Sequence, residues 1–290
     1  MPIRRALDPV GSFDLSLTDG YERPALGAFI VEDDMQGRLS GKIALVTGVG
    51  GGIGKGCAIK FAEEGAIVIG CDIDPRTAKQ TATQARERGL NIDVMAPCDL
   101  TCAADVQRYV DYAGNLHGRI DVLLNAAAIP PHMAPVSEMD YENQWSPTMI
   151  GEVDIVFLAC KLAWPYLKRS EAASIINFAS VSAFRASVSF GMAAHCAGKA
   201  AVLAMTRQLA IEGGPTIRAN TISPGLIVTP ATEFAGATEG EVRERLLARI
   251  PMKRLGQPED IAWCAVFLAS NESGWVTGAN FPVDGGVMAS

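Results

Sequence analysis

A chain of 290 residues, 49% hydrophobic and with a formal net charge of −7, has apolar material for a large core. It lacks the clustered cations that a nucleic-acid backbone would require. No apolar run approaches the roughly 18 residues of a membrane helix, and the basic start MPIRRALDPVGSFDLSLTDG has no apolar stretch after it of the kind a secretory signal needs.

Residues 1–36 carry scattered Pro and Gly, the acidic run Glu32-Asp33-Asp34 and no sustained period, and are expected to form an extension or arm outside the folded domain, 37–290. From Leu39 the text is regular. KIALVTG (42–48) predicts a buried strand and 52–65 a helix; AIVIGCD (66–72) predicts a second strand and 75–89 a polar helix. Strands over 92–99 and 120–127 follow, with a helix over 101–116 between them. A long helix is expected over 141–168, a strand over 174–180, a helix over 190–213 and a strand over 217–223. A helix over 258–270 and a strand over 280–286 complete the chain. Alternating helices and uniformly apolar strands predict a single α/β, doubly wound, Rossmann-type domain: a parallel sheet with helices on both faces.

The seven cysteines are an odd number spread through apolar segments and read as reduced thiols of a cytoplasmic protein. Cys98 and Cys102 have no second Cys/His pair at ligand spacing, so no metal site is expected.

TGVGGGIG (47–54) falls where the first strand passes into the first helix, the place where a dinucleotide pyrophosphate meets backbone N–H groups. Gly48 suits the tight turn, Gly52 the approach of the phosphates and Gly54 close helix–strand packing; Gly50 and Ile53 belong to the same turn. Asp72 ends the second strand, 18 residues beyond Gly54. A carboxylate there accepts hydrogen bonds from a ribose and repels a 2′-phosphate. Ile73 follows it and supplies no compensating charge, so the expected cofactor is NAD rather than NADP, with Arg76 the one nearby cation.

With these pieces in place, residues 39–290 resemble the short-chain dehydrogenase/reductase family. TGVGGGIG matches its glycine turn, and CDL (98–100) resembles the segment where Asp99 and the backbone of Leu100 flank adenine. LNAAAI (124–129), with Asn125 and Ala126, resembles the segment beneath the cofactor. SPGLIVTP (223–230) resembles the turn beside the nicotinamide: Pro224 and Gly225 form it, and Ile227 and Thr229 would hold the carboxamide. PVDGG (282–286) resembles the end of the last strand.

The resemblance implies a catalytic Ser, Tyr and Lys, commonly joined by an Asn. Lys199 fits, as does Ser180 by its distance from the strand residue Asn177, although Ser182 keeps the usual distance to the helix. His195 occupies the Tyr position and Glu152 the Asn position, and the five tyrosines lie elsewhere. An imidazole already titrates near neutrality and can move the proton of an alcohol. His195 lies one helical turn before Lys199 and shares its face. Lys199 would also bind the cofactor ribose. Two readings of Glu152 stand open: a partner for Lys199, or a helix residue facing water. Of the other histidines, His117 is expected in solvent at a helix end and His132 beside the substrate pocket.

Residues 230–256 would form a substrate lid, with Ala231, Phe234, Leu246, Leu247 and Met252 as an apolar wall and Arg243, Arg245 and Arg249 on a solvated face. The expected activity is NAD-dependent interconversion of a small or cyclic secondary alcohol and its ketone, with His195 as proton acceptor and donor. A catalytically silent NAD-binding protein and a non-redox lyase or isomerase on the same scaffold are the alternatives. The resemblance also implies a homotetramer or homodimer built on the two long helices.

Overall fold

The computed structural model describes residues 37–186 and 191–289. The expected extension, 1–36, lies outside the described residues, as does Phe190, the expected first residue of a helix. The described residues form one compact unit.

In chain order come β1 (Ile43–Thr47), α1 (Gly52–Glu63), β2 (Ile67–Cys71), α2 (Pro75–Glu87), β3 (Ile92–Met95), α3 (Ala103–His117) and β4 (Val122–Asn125). The chain continues through α4 (Ser146–Met149), α5 (Ile155–Leu167), β5 (Ala173–Phe178), α6 (Ala193–Gly213) and β6 (Ile217–Pro224). It ends with α7 (Pro230–Phe234), α8 (Gly240–Ala248), α9 (Pro258–Ala269) and β7 (Asn280–Val283). The seven strands form one sheet in the order β3-β2-β1-β4-β5-β6-β7, every pairing parallel.

The strands are apolar throughout because both sheet faces are covered. Ala44 and Val46 of β1 pack with Cys57 and Phe61 of α1 and with Ile261 and Val266 of α9. Ile43 and Leu45, pointing the other way, pack with Val106 of α3, Ala159 of α5 and Val202 of α6. This two-residue alternation places a helix layer on each face.

Several predicted strands run past their hydrogen-bonded ends. The segments 96–99 and 126–127 leave the sheet, yet Cys98, Asp99, Ala126 and Ala127 remain as walls of a cleft. The apolar text continues there because the cleft wall is itself apolar. The long helix expected over 141–168 is interrupted by widened, π-type turns at Tyr141–Trp145 and Ile150–Asp154. Each such turn adds a residue and rotates the helix face that follows. Gly151 sits in the second one, where a side chain would run into Ile129.

The sheet order reverses between β1 and β4, and there the carboxyl ends of neighbouring strands diverge to open a crevice. Thr47, the last residue of β1, holds the two edges in place: its buried Oγ1 accepts hydrogen bonds from the N–H groups of Ala126 and Ala127, 3.0 Å each. Gly48 follows at φ +75° and donates its N–H to the Cys71 carbonyl at 2.8 Å. α1 then packs so closely that a methyl group on Gly54 would strike the carbonyl oxygen of Gly48.

Thr47→Val keeps the shape and leaves two N–H groups without their acceptor; unfolding free energy should fall by about 1–3 kcal/mol in a urea titration. Gly54→Ala forces backbone to move, with an expected loss of about 1–3 kcal/mol. An unchanged midpoint for the second variant would show that the turn has slack.

Candidate active site

The crevice at the β1–β4 reversal is a cleft of about 460 Å³. One end is lined by Gly48, Gly51, Gly52, Ile53 and Gly54 from the glycine turn, with Asp72, Ile73, Asp99, Leu100 and Thr101 beside them. No side chain caps the first turn of α1, so its N–H groups are left to a ligand. The Asp72 carboxylate is pinned by two backbone donors, Oδ2 accepting from Gly50 at 2.8 Å and Oδ1 from Asp74 at 2.9 Å. A carboxylate has about four acceptor sites, so capacity remains for hydroxyl groups in the cleft. Arg76 turns instead to Asp74, 3.3 Å away. A glycine-lined turn without room for side chains, free helix N–H groups and a fixed carboxylate beyond them suit a dinucleotide.

The opposite end brings together Glu152, Ile155, His195 and Lys199, with Ala126, Ala127, Ala128, Ile129, Pro130 and Pro131 as apolar wall. His195 and Lys199 are in the first two turns of α6, four residues apart and so on one face. Nδ1 of His195 lies 2.5 Å from Oε1 of Glu152. The Lys199 ammonium donates to the carbonyl of Phe178, the last residue of β5, at 3.4 Å. Burial pushes Lys199 below the ordinary range of a lysine, and the charge of Glu152 acts in the opposite direction. Neither open reading of Glu152 describes what is observed: it is buried, and its hydrogen bond goes to His195.

The remaining expected residues are spread around this cleft. Ser180 caps the short turn Val181–Ala183, its Oγ accepting from the N–H of Ser182 at 3.1 Å; it is half-buried at the exit of β5 and outside the cleft lining. Asn125 is buried, donating to Asn177 Oδ1 at 2.8 Å and to Cys160 Sγ at 3.4 Å, and its side chain braces β4 against β5. Thr229 lines the cleft and caps α7. Pro224 ends β6, Gly225 packs against Asp284, and Ile227 turns inward to a separate hollow of about 100 Å³ with Ile250 and Met252. Gly50 lies behind the turn against Asp72 and Thr77.

His132 is hydrogen-bonded to Thr148 at 3.2 Å, one residue beyond the cleft wall, and His117 closes α3 half-buried. Of the expected apolar lid residues, Ala231 alone reaches the cleft, whereas Phe234 is 95% exposed. Arg243 and Arg245 pair with Glu244 and Glu241 on the surface of α8. The contacts of Thr47 with the 126–127 backbone were not foreseen from sequence, because a threonine at a strand end carries no special pattern.

Residues 48–288 match the family described as enoyl-(acyl carrier protein) reductase. Among individual relatives, the chain is 35% identical over 252 residues to a 3-oxoacyl-(acyl-carrier-protein) reductase of Thermotoga maritima, covering 87% of this chain and 99% of that one. It is 33% identical to a meso-2,3-butanediol dehydrogenase of Serratia marcescens, with 87% and 97% covered. A solved structure of 7α-hydroxysteroid dehydrogenase, complexed with NADH and 7-oxo glycochenodeoxycholic acid, superposes with TM-score 0.80 at 32% identity, covering 86% and 95% of the two chains. The chain therefore belongs to the short-chain dehydrogenase/reductase family of NAD(P)-dependent oxidoreductases acting on CH–OH groups.

Proposed function

We propose that the protein is an NAD-dependent dehydrogenase of small or cyclic secondary alcohols in which His195 replaces the tyrosine of the family as proton carrier. The observation that carries this reading is the position of His195 and Lys199 on the wall of the same cleft whose far end holds the glycine turn and Asp72. When bound, the dinucleotide supplies the hydride acceptor. The chain's own residues hold it and manage the proton. Gly48 makes the turn, Gly54 lets α1 pack against it, Gly52 leaves space for the phosphates, and Asp72 accepts from the ribose hydroxyls. Lys199, a buried cation within reach of the strand end, binds the second ribose. His195 takes the hydroxyl proton at Nε2, and Ser180, at the exit of β5 outside the cleft lining, is the hydroxyl assigned to the substrate oxygen.

Preference for NAD follows from charge. Two backbone donors hold Asp72 in place, Ile73 beside it is 66% exposed, and Arg76 is engaged by Asp74, so a 2′-phosphate would meet a carboxylate and no cation. Substrate class follows from the wall: Lys199 is the one cationic residue lining the cleft among the described residues, and the surfaces opposite it are alanine, isoleucine and proline. That suits an uncharged alcohol with an apolar body. The meso-2,3-butanediol dehydrogenase of Serratia marcescens and the 7α-hydroxysteroid dehydrogenase bracket the size range by name.

Assembly as a homotetramer through α5 and α6 is part of the same proposal; Phe157, on the outer side of α5, is 50% exposed. All seven cysteines are free thiols, which suits the reducing cytoplasm, and no helix among the described residues is long and apolar enough to cross a membrane.

A panel of secondary alcohols with NAD⁺, followed at the absorbance of NADH, should show turnover by the parent. His195→Phe, which keeps a ring without a titrating nitrogen, should lower kcat by about 10²–10⁴-fold while NADH still binds. Equal turnover in the two proteins assigns the proton to another group. Asp72→Asn removes the charge and keeps an acceptor oxygen. The ratio of kcat/KM for NAD⁺ over NADP⁺ should drop by about tenfold or more, in proportion to the roughly 1.4 kcal/mol that a tenfold ratio represents.

A further inference from the structure

Glu152 connects the interrupted helix before β5 to α6. Its side chain is 1% exposed, and the widened turn Ile150–Asp154 carries it to α6. Oε1 meets Nδ1 of His195 at 2.5 Å, across 43 residues of sequence. Oε2 has no hydrogen-bond partner among the described residues. A Cβ on Gly198 would stand 2.6 Å from that oxygen, so the glycine between His195 and Lys199 leaves the space that the carboxylate fills.

An ionised carboxylate can only accept, whereas an imidazole can present either nitrogen as donor. With the carboxylate as acceptor in the 2.5 Å contact, Nδ1 is the donor and a neutral ring keeps its lone pair on Nε2. We propose that Glu152 is a positioning residue: it fixes His195 in the Nδ1–H tautomer and so leaves Nε2 free to accept the substrate proton. This rests on the reading of His195 as proton carrier. In the step itself the substrate O–H bond breaks as an Nε2–H bond forms, and the electron pair stays on the substrate oxygen. The imidazolium charge created on the ring lies against the Glu152 carboxylate. A ring held by its far nitrogen gives up rotational freedom before the substrate arrives.

The same contact makes the two residues interdependent. Tyrosine at 195 would put ring carbon where Nδ1–H now donates and leave a buried carboxylate with no donor, a strongly destabilising state. Asparagine at 152 would relieve it by removing the charge.

The test uses the full chain with ¹⁵N-labelled histidine. Long-range ¹H–¹⁵N spectra separate the two tautomers, and the His195 signals are those lost in His195→Phe. The parent should show Nδ1–H at His195, and Glu152→Ala should shift the ring towards Nε2–H. Alcohol oxidation by that variant should lose about 10–100-fold in kcat, the range typical when a histidine loses its orienting partner, with KM for NAD⁺ within about twofold. An Nε2–H ring in the parent overturns the proposal, and so does an unchanged tautomer in Glu152→Ala. Should the alanine variant fail to fold, the parent spectrum still decides. Thermal midpoints give an independent reading: His195→Tyr should melt below the parent, and adding Glu152→Asn should recover part of the loss. Equal midpoints for the single and double variants count against the coupling. The tautomer depends on Glu152 alone, whereas turnover of His195→Phe tests the proton-carrier reading, so the two ideas fail separately.

Discussion

The close approach of α1 to the end of β1 is the constraint on which the molecule's chemistry depends. There is no room for a side chain on Gly54 because the carbonyl of Gly48 occupies it, and Gly48 adopts φ +75° to make the turn. Thr47 then fastens the exit of β4 to the same point by two hydrogen bonds. Three chain segments are thus fixed within a few ångströms at the place where the sheet order reverses. The cleft exists because these strand ends diverge, and it is rigid because backbone groups hold them.

The opposite end is organised by a different rule. Buried polar groups need partners, and in this region the partners are side chains from elements far apart in sequence. Glu152 on the interrupted helix finds His195 on α6, and Lys199 finds the last carbonyl of β5. The ammonium is pushed below its ordinary range by burial, with the Glu152 charge in partial opposition. Glu152 thus touches one of its neighbours and acts by charge on the other.

The elements and the glycine turn were legible in the sequence for a common reason: both are governed by local geometry. Strands covered on two faces must be apolar at every position, as in IALVT (43–47), and a turn at φ +75° with no side-chain space calls for glycine. The strand limits were less legible, since the apolar text of 96–99 and 126–127 continues from sheet into cleft wall without a change of composition. At the other end of the cleft, the side-chain partners of Glu152, His195 and Lys199 could not be read from the sequence. Glu152 sits in a π-type turn, where the regular helical period no longer says which side it faces, and pairing with Lys199 or exposure to water were equally compatible with the text. In the lid, Phe234 and Ala231 look alike as apolar residues, and the short helix α7 decides which one turns inward.

The two ends of the cleft rest on different foundations. α6 is secured to the sheet well below His195 and Lys199 by a buried chain of polar groups. Asn125 donates to Asn177 at 2.8 Å, Asn177 donates to Thr206 at 2.9 Å, and Thr206 donates to the carbonyl of Val202 at 2.7 Å. Asn125 and Asn177 are also direct neighbours in the register of β4 and β5. None of these bonds involves position 152, 195 or 199. The helix is therefore placed by contacts that do not depend on which ionisable side chain its first turn carries. The imidazole of His195, backed by a carboxylate, is thus carried on a helix whose placement does not depend on it. The condition at that position is local: donor and acceptor must satisfy each other, as Nδ1 of His195 and Oε1 of Glu152 do.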